Sequence, residues 1–282
     1  MGTKRSWQGQ PLVQETVPSM ASESAGPIIS IFENFRNELD EHHDRRERVI
    51  KASRDITALS KKIIFTLQRV RVTNKPLPPK IAQENQSRLD QIHTLFTSIV
   101  PDVTGINSWR YQRQISGGIQ EFIEAISFEH YLRTQTLISL PETQARLPVE
   151  ILVTEEDYVM GLFDLTGEMM RFAVMALSSG NATQTQELAQ GAEAMDATQK
   201  LPHLSSSQAG IVIDLRFLRA ALEALSVPRR SNMFRDLAKK VEVMQNSVEK
   251  VERAAYGILV RGSERPSGWT PDLSVPVEME IH

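Results

Sequence analysis

The chain contains no cysteine, which excludes disulfides, thiolate zinc sites and a cysteine nucleophile, and leaves any metal to oxygen or imidazole ligands. The same absence favours an intracellular protein. Long apolar runs are missing too, with no stretch of eighteen and none of seven within the first twenty residues. Neither a membrane span nor a signal peptide is therefore expected, and no stable membrane association. Aromatic residues make up 6%, and two of the three tryptophans, Trp7 and Trp269, lie near the ends, so no clustered base-stacking motif is present. Strand signals are also scarce: short β-branched runs such as Ile151-Leu152-Val153 lack a hairpin partner.

What remains is helical pattern. The chain of 282 residues is 40% hydrophobic with a net charge of -3, enough to bury one sizeable core, and a single domain over 28–262 is expected. Residues 1–27 and 263–282 read as poorly ordered tails. The start Met1-Gly2-Thr3-Lys4-Arg5-Ser6 fits the short acylation pattern at Gly2, but a polar leader explains it as well. Between the tails, Phe35, His42, Val49, Ile56, Ile63 and Val70 recur every seven residues, with Leu39 and Leu67 between them, over a span from Ile28 to Val70 free of Pro and Gly. That pattern predicts one unusually long helix. Further helices are expected from about Ile81 to Pro101, Ser108 to Leu137, Thr154 to Leu177, Ile211 to Leu225 and Asn232 to Val260, with Pro141 to Pro148 as a loop. Residues 178–210, rich in Ser, Gln, Ala, Gly and Thr, read as a flexible insertion. The fold class is all-α, a bundle of about seven helices.

Two helical stripes carry chemistry. Glu121 and Glu124 stand three positions apart behind Gly117 and Arg113, and Asp164 and Glu168 stand four apart between Gly161 and Arg171. Like charges on one helical face repel, and apolar neighbours such as Phe122, Ile123, Phe163 and Leu165 suggest partial burial, which makes uncompensated carboxylates costly. A hard cation between the stripes, Mg²⁺ or Mn²⁺, would relieve both, and the glycines would let a bulky ligand approach the backbone. Acid pairs at this spacing are also common on solvated faces, so the spacing alone leaves both readings open. A di-iron bundle would need Glu-x-x-His pairs, which neither stripe has. Residues 45–71 hold nine Lys or Arg against two acids. Arg45, Arg46, Arg48, Lys51 and Arg54 could therefore line a phosphate-binding surface, or simply a solvated one.

Several blocks together resemble the translin family, on its translin-associated factor X branch: Glu38-Leu39-Asp40 with His43-Asp44, Ser53-Arg54-Asp55-Ile56-Thr57 with Ser60-Lys61, Glu121-Phe122-Ile123-Glu124-Ala125 with Ser127-Phe128, Leu137-Ile138-Ser139, Asp164-Leu165-Thr166-Gly167-Glu168, and Val260-Arg261-Gly262-Ser263-Glu264. They run in the family's order over residues 28 to 264. The resemblance implies a translin-like helical fold, a hetero-oligomeric shell with translin, typically an octamer, and Mg²⁺-dependent endoribonuclease activity on single-stranded or nicked RNA, such as silencing passenger strands or transfer-RNA precursor fragments. It implies Glu121, Glu124 and Asp164 as catalytic acids, with Glu168 a fourth metal ligand. On the metal-assisted reading, Arg113 would hold the phosphate and the basic run would supply further RNA contacts, with single-stranded DNA as a second candidate ligand. The basic import cluster is reduced to Lys4-Arg5, which leaves cytoplasmic residence expected and nuclear residence open. A non-catalytic scaffold that stabilises translin, and an all-α nucleotide pyrophosphatase with Glu-x-x-Glu helices, are the competing readings.

Overall fold

A computed structural model describes residues 27–189, 204–226 and 236–261. Eight α-helices and no strand occur among them: α1 (Pro27–Leu67), α2 (Pro79–Val103), α3 (Ile106–Arg110), α4 (Gln112–Thr134), α5 (Leu140–Gln144), α6 (Glu155–Ala189), α7 (Ser206–Glu223) and α8 (Leu237–Tyr256), the last running into a π-helical turn over Gly257–Arg261. The all-α class is as expected. Both expected tails apart from Pro27, and residues 190–203 of the expected insertion with His203, lie outside the described residues. Among the described residues no helix is long and apolar enough to cross a membrane.

The heptad seam reports where α1 is buried. Val49, Ile56, Ile63 and Leu67 are fully buried, and Val70 nearly so. The chain divides into two compact units, one ending at Arg45 and one beginning at Arg46. In the first, Ile28, Ile29, Ile31, Phe32, Phe35 and Leu39 are all exposed, Phe32 and Phe35 meet edge to face with ring centroids 6.4 Å apart, and Arg45 pairs with Glu41 at 2.6 Å. In the second unit, α6 is the central element, packed on α4, α7 and α8. Its face is apolar at Met160, Phe163, Leu165, Met169, Phe172, Ala173 and Leu177.

Three boundaries differ from the sequence reading. The expected helix from Ser108 to Leu137 is broken at Tyr111 (φ -108°, ψ 8°), which separates α3 from α4, and α4 stops at Gln135 in the left-handed region (φ 54°). The Pro141–Pro148 loop contains α5, closed at its start by a capping box in which Ser139 and Glu142 satisfy each other's backbone amides, a reciprocal arrangement that leaves fewer orphan donors. Residues 178–189, assigned to the insertion, continue α6, and Ser205 opens α7 with a second capping box to Gln208.

Candidate metal centre

The four acids come together because a glycine lets two helices touch. A Cβ on Gly161 would lie 2.7 Å from Ile123 Cγ2 and 3.0 Å from the Gln120 carbonyl, so only the missing side chain allows α6 this close to α4. The space is filled by Ile123, which corrects the expectation that this glycine admits a ligand; at Gly117 a Cβ would meet open space. On the other side of α4, the Gly118 amide donates to Ser53 Oγ of α1 at 3.1 Å. Glu121 and Glu124 of α4 thereby face Asp164 and Glu168 of α6, with α1 and α8 alongside.

Three of the acids have protein partners. Glu121 pairs with Lys61 Nζ of α1 at 3.8 Å. Asp164 accepts from Lys240 Nζ of α8, which also donates to the Met160 carbonyl at 3.2 Å. Glu168, buried, accepts from Gln68 Nε2 at 2.7 Å and from Arg171 Nη1 at 2.5 Å. Glu124 is different. It is 9% exposed, and no hydrogen bond or ion pair among the described residues reaches it. Burial, and then the charges of Glu121, Asp164 and Glu168, push its carboxyl up to about 8, against the pull of Lys240. Burial also raises Glu121, with Asp164 and Glu168 adding to the shift and Lys61 and Lys240 opposing it.

A cluster made of oxygen donors alone, with one buried carboxyl that no hydrogen bond or ion pair among the described residues reaches, suits a hard divalent cation. Among the described residues, however, no group of three or more acids or imidazoles is already gathered closely enough to hold a metal ion. Asp164, Glu121 and Glu168 are instead turned towards protein groups. Of these partners, Lys61 lay in the basic run and Arg171 on the acidic stripe, whereas Gln68 and Lys240 went unnoticed in the sequence. Lys240 did carry a signal: four residues before Met244 and eight before Val248, both fully buried, it is a charge on a buried stripe.

The basic residues separate into two groups. Lys51 and Arg54 are exposed and make no hydrogen bond or ion pair with any described residue. With Lys61 and the exposed Phe65 they stand three, seven and four residues apart on one face of α1, a face that includes Glu121's partner. Arg48 does not join them, because its guanidinium holds Asp102 in two bonds of 2.7 and 2.8 Å. Arg46 pairs with Glu47 at 2.8 Å, and Arg45 belongs to the other unit. Arg113 is also away from the acids: two helical turns lie between it and Glu121, about 12 Å along the axis, and its charge acts on Glu156.

Comparison with known proteins gives a consistent result. The family model for the translin family matches residues 44–262. The translin-associated protein X of Rattus norvegicus is 30% identical over 281 residues, covering 91% of this chain and 87% of that protein. The translin of Mus musculus is 20% identical, covering 83% of this chain and 94% of its own. A crystal structure of AfC3PO shares the fold with a TM-score of 0.55 at 19% identity, over 82% of this chain and 98% of that one.

Proposed function

Because the chain belongs to the translin family, we propose that it is the acid-bearing subunit of a translin hetero-oligomer and a Mg²⁺-dependent endoribonuclease that cuts single-stranded or nicked RNA. The observation that carries this reading is Glu124, buried among three further acids with no hydrogen bond or ion pair to any described residue. A buried carboxyl among three other acids is costly to ionise, and a raised pKa of this kind in an acidic cluster is a mark of a functional site.

Glu121, Glu124, Asp164 and Glu168 would hold the ion through carboxylate oxygens. When bound, a divalent cation opposes the charge that builds on a phosphate and lowers the pKa of a water nucleophile. The chain's own residues do the rest. Gln68 and Arg171 fix Glu168 in one orientation, and the Gly161–Ile123 contact holds α6 and α4 in register. Lys51, Arg54 and Lys61 form a track of positive charge along α1 that attracts a phosphodiester backbone towards the acids without reading its sequence. Membership of the translin-associated branch supports translin as the partner, and the exposed apolar side chains of residues 28–39 are consistent with an assembled state.

A second reading, a nucleic-acid-binding scaffold that cuts nothing, is favoured by one observation: three of the four acids already have protein partners, as in a structural ion-pair network. Titrating Mg²⁺ against a labelled single-stranded RNA, with the chain purified together with translin, separates the two. Metal-dependent product that disappears in Glu124→Gln and Asp164→Asn supports the enzyme. Salt-sensitive binding with no product at any Mg²⁺ concentration supports the scaffold.

A further inference from the structure

Lys240 is a lysine in the wrong surroundings for an ordinary surface residue. Its side chain is 20% exposed, whereas the preceding Lys239 is exposed. It reaches from the first turn of α8 across to α6, where its ammonium meets Asp164 and the Met160 carbonyl. The charge is felt beyond that pair, since it pulls against the upward shifts of both Glu121 and Glu124 on α4. The ammonium therefore sits inside the acidic cluster and acts on three of its acids, beside Lys61 at Glu121 and Arg171 at Glu168.

A divalent ion that takes Asp164 as a ligand must face this charge. Both cations cannot occupy the same carboxylate oxygens, and two positive charges a few ångströms apart in a partly buried site repel strongly. An ammonium on a flexible four-carbon stem makes a single-point contact and can leave by rotating its χ angles. Resting on the metal-dependent reading above, we propose that Lys240 is a tethered counter-cation that occupies Asp164 when the divalent ion is away and is displaced from it when the ion binds, and so sets the affinity of the site for the ion. A fixed structural salt bridge between α6 and α8 would instead persist with the ion bound.

The test uses the full-length chain purified with translin. The wild type is treated with an amine-reactive ester in EDTA and in MgCl₂, and the modified lysines are quantified by mass spectrometry, with the exposed Lys239 as internal reference. Labelling of Lys240 should rise several-fold with Mg²⁺ while that of Lys239 stays constant. In parallel, Mn²⁺ binding is measured by calorimetry. Lys240→Gln removes the competitor, so its Kd should fall about tenfold, and Lys240→Arg, which keeps the charge, should not gain affinity. If Mn²⁺ binds the wild type but Lys240 labelling is flat, or Lys240→Gln folds and binds no more tightly, the exchange is overturned while the metal-dependent reading stands. If the wild type binds no Mn²⁺, both fall. The labelling arm decides the question even if the variant does not fold.

Discussion

Replacing Glu124 by Gln tests the electrostatic argument without touching the shape of the site. In the folded chain the Glu124 carboxyl is pushed from 4.5 up to about 8, while in the unfolded chain it titrates near the ordinary value. The folded state therefore binds a proton that the unfolded state releases, and stability must fall as pH rises through that interval. Below about pH 4.5 both states are protonated and the contribution is fully present; above about 8 it is lost. At about 1.4 kcal/mol per unit, an interval of 3.5 units (8 minus 4.5) is on the order of 5 kcal/mol, a ceiling that Lys240 or Lys61 can lower by turning towards the new charge. Gln cannot ionise, so the variant should match the wild type near pH 5 and exceed it by several kcal/mol near pH 8.5. Urea unfolding followed by helical circular dichroism, in EDTA across that range, measures the difference. Adding Mg²⁺ at the higher pH should stabilise the wild type and leave the variant nearly unchanged. A difference that stays below about 1 kcal/mol, or that fails to grow with pH, refutes the claim that Glu124 is buried without compensation.

Three further variants separate packing from binding. Gly161→Ala adds a methyl 2.7 Å from Ile123, a fully buried β-branched side chain that cannot rotate away; the clash should outweigh the helix-propensity gain and cost about 1–3 kcal/mol in thermal or urea unfolding. Lys51→Ala with Arg54→Ala should weaken single-stranded RNA binding and reduce the slope of log K against log salt by up to about 2, with little change in melting temperature. Arg48→Ala should do the reverse. It removes the two-pronged partner of Asp102, costing about 1–3 kcal/mol of stability, and leaves the salt slope as it was.

The sequence made the helices visible where they bury something. The seven-residue repeat of α1 maps onto Val49, Ile56 and Ile63, and the seam of α8 onto Met244, Val248 and Val251, all fully buried. Phe35 and Leu39 carry the same repeat yet are exposed, because periodicity marks a face and not what covers it. The elements that escaped are those built on backbone geometry. Tyr111 breaks a helix with no Pro or Gly at the break, and α6 runs on past Leu177, where apolar periodicity gives out. A helix already nucleated tolerates Ser, Gly, Asn and Thr at a cost of about 0.5–1 kcal/mol each. The capping boxes of α5 and α7 were legible as Ser139 with Glu142 and Ser205 with Gln208, but the surrounding Pro and Ser made both stretches read as loop.

The site divides along the same line. Acids spaced for one helical face are a local property, so Glu121, Glu124, Asp164 and Glu168 could be picked out in two separate helices. Most of the partners they meet are set by packing between distant segments, as in the Lys240–Asp164 contact across 76 residues and the Gln68–Glu168 contact across 100. Arg113 shows the converse. It shares a stripe with Glu121, but a stripe extends along the whole helix, and two turns are enough to deliver its charge to Glu156 instead. The decisive difference among the four acids is then one that spacing cannot express. Asp164 and Glu121 each meet a lysine from another part of the chain, Glu168 meets Arg171 on its own helix and the neutral amide of Gln68, and Glu124 meets no hydrogen-bonding or ion-pair partner among the described residues. A cluster that pairs three of its four acids internally keeps them folded together, while Glu124 is the ligand left over for an incoming cation, which would displace its proton. Such an ion must compete with Lys61, Lys240 and Arg171 for its remaining ligands, which makes its affinity a property of those three side chains as much as of the acids.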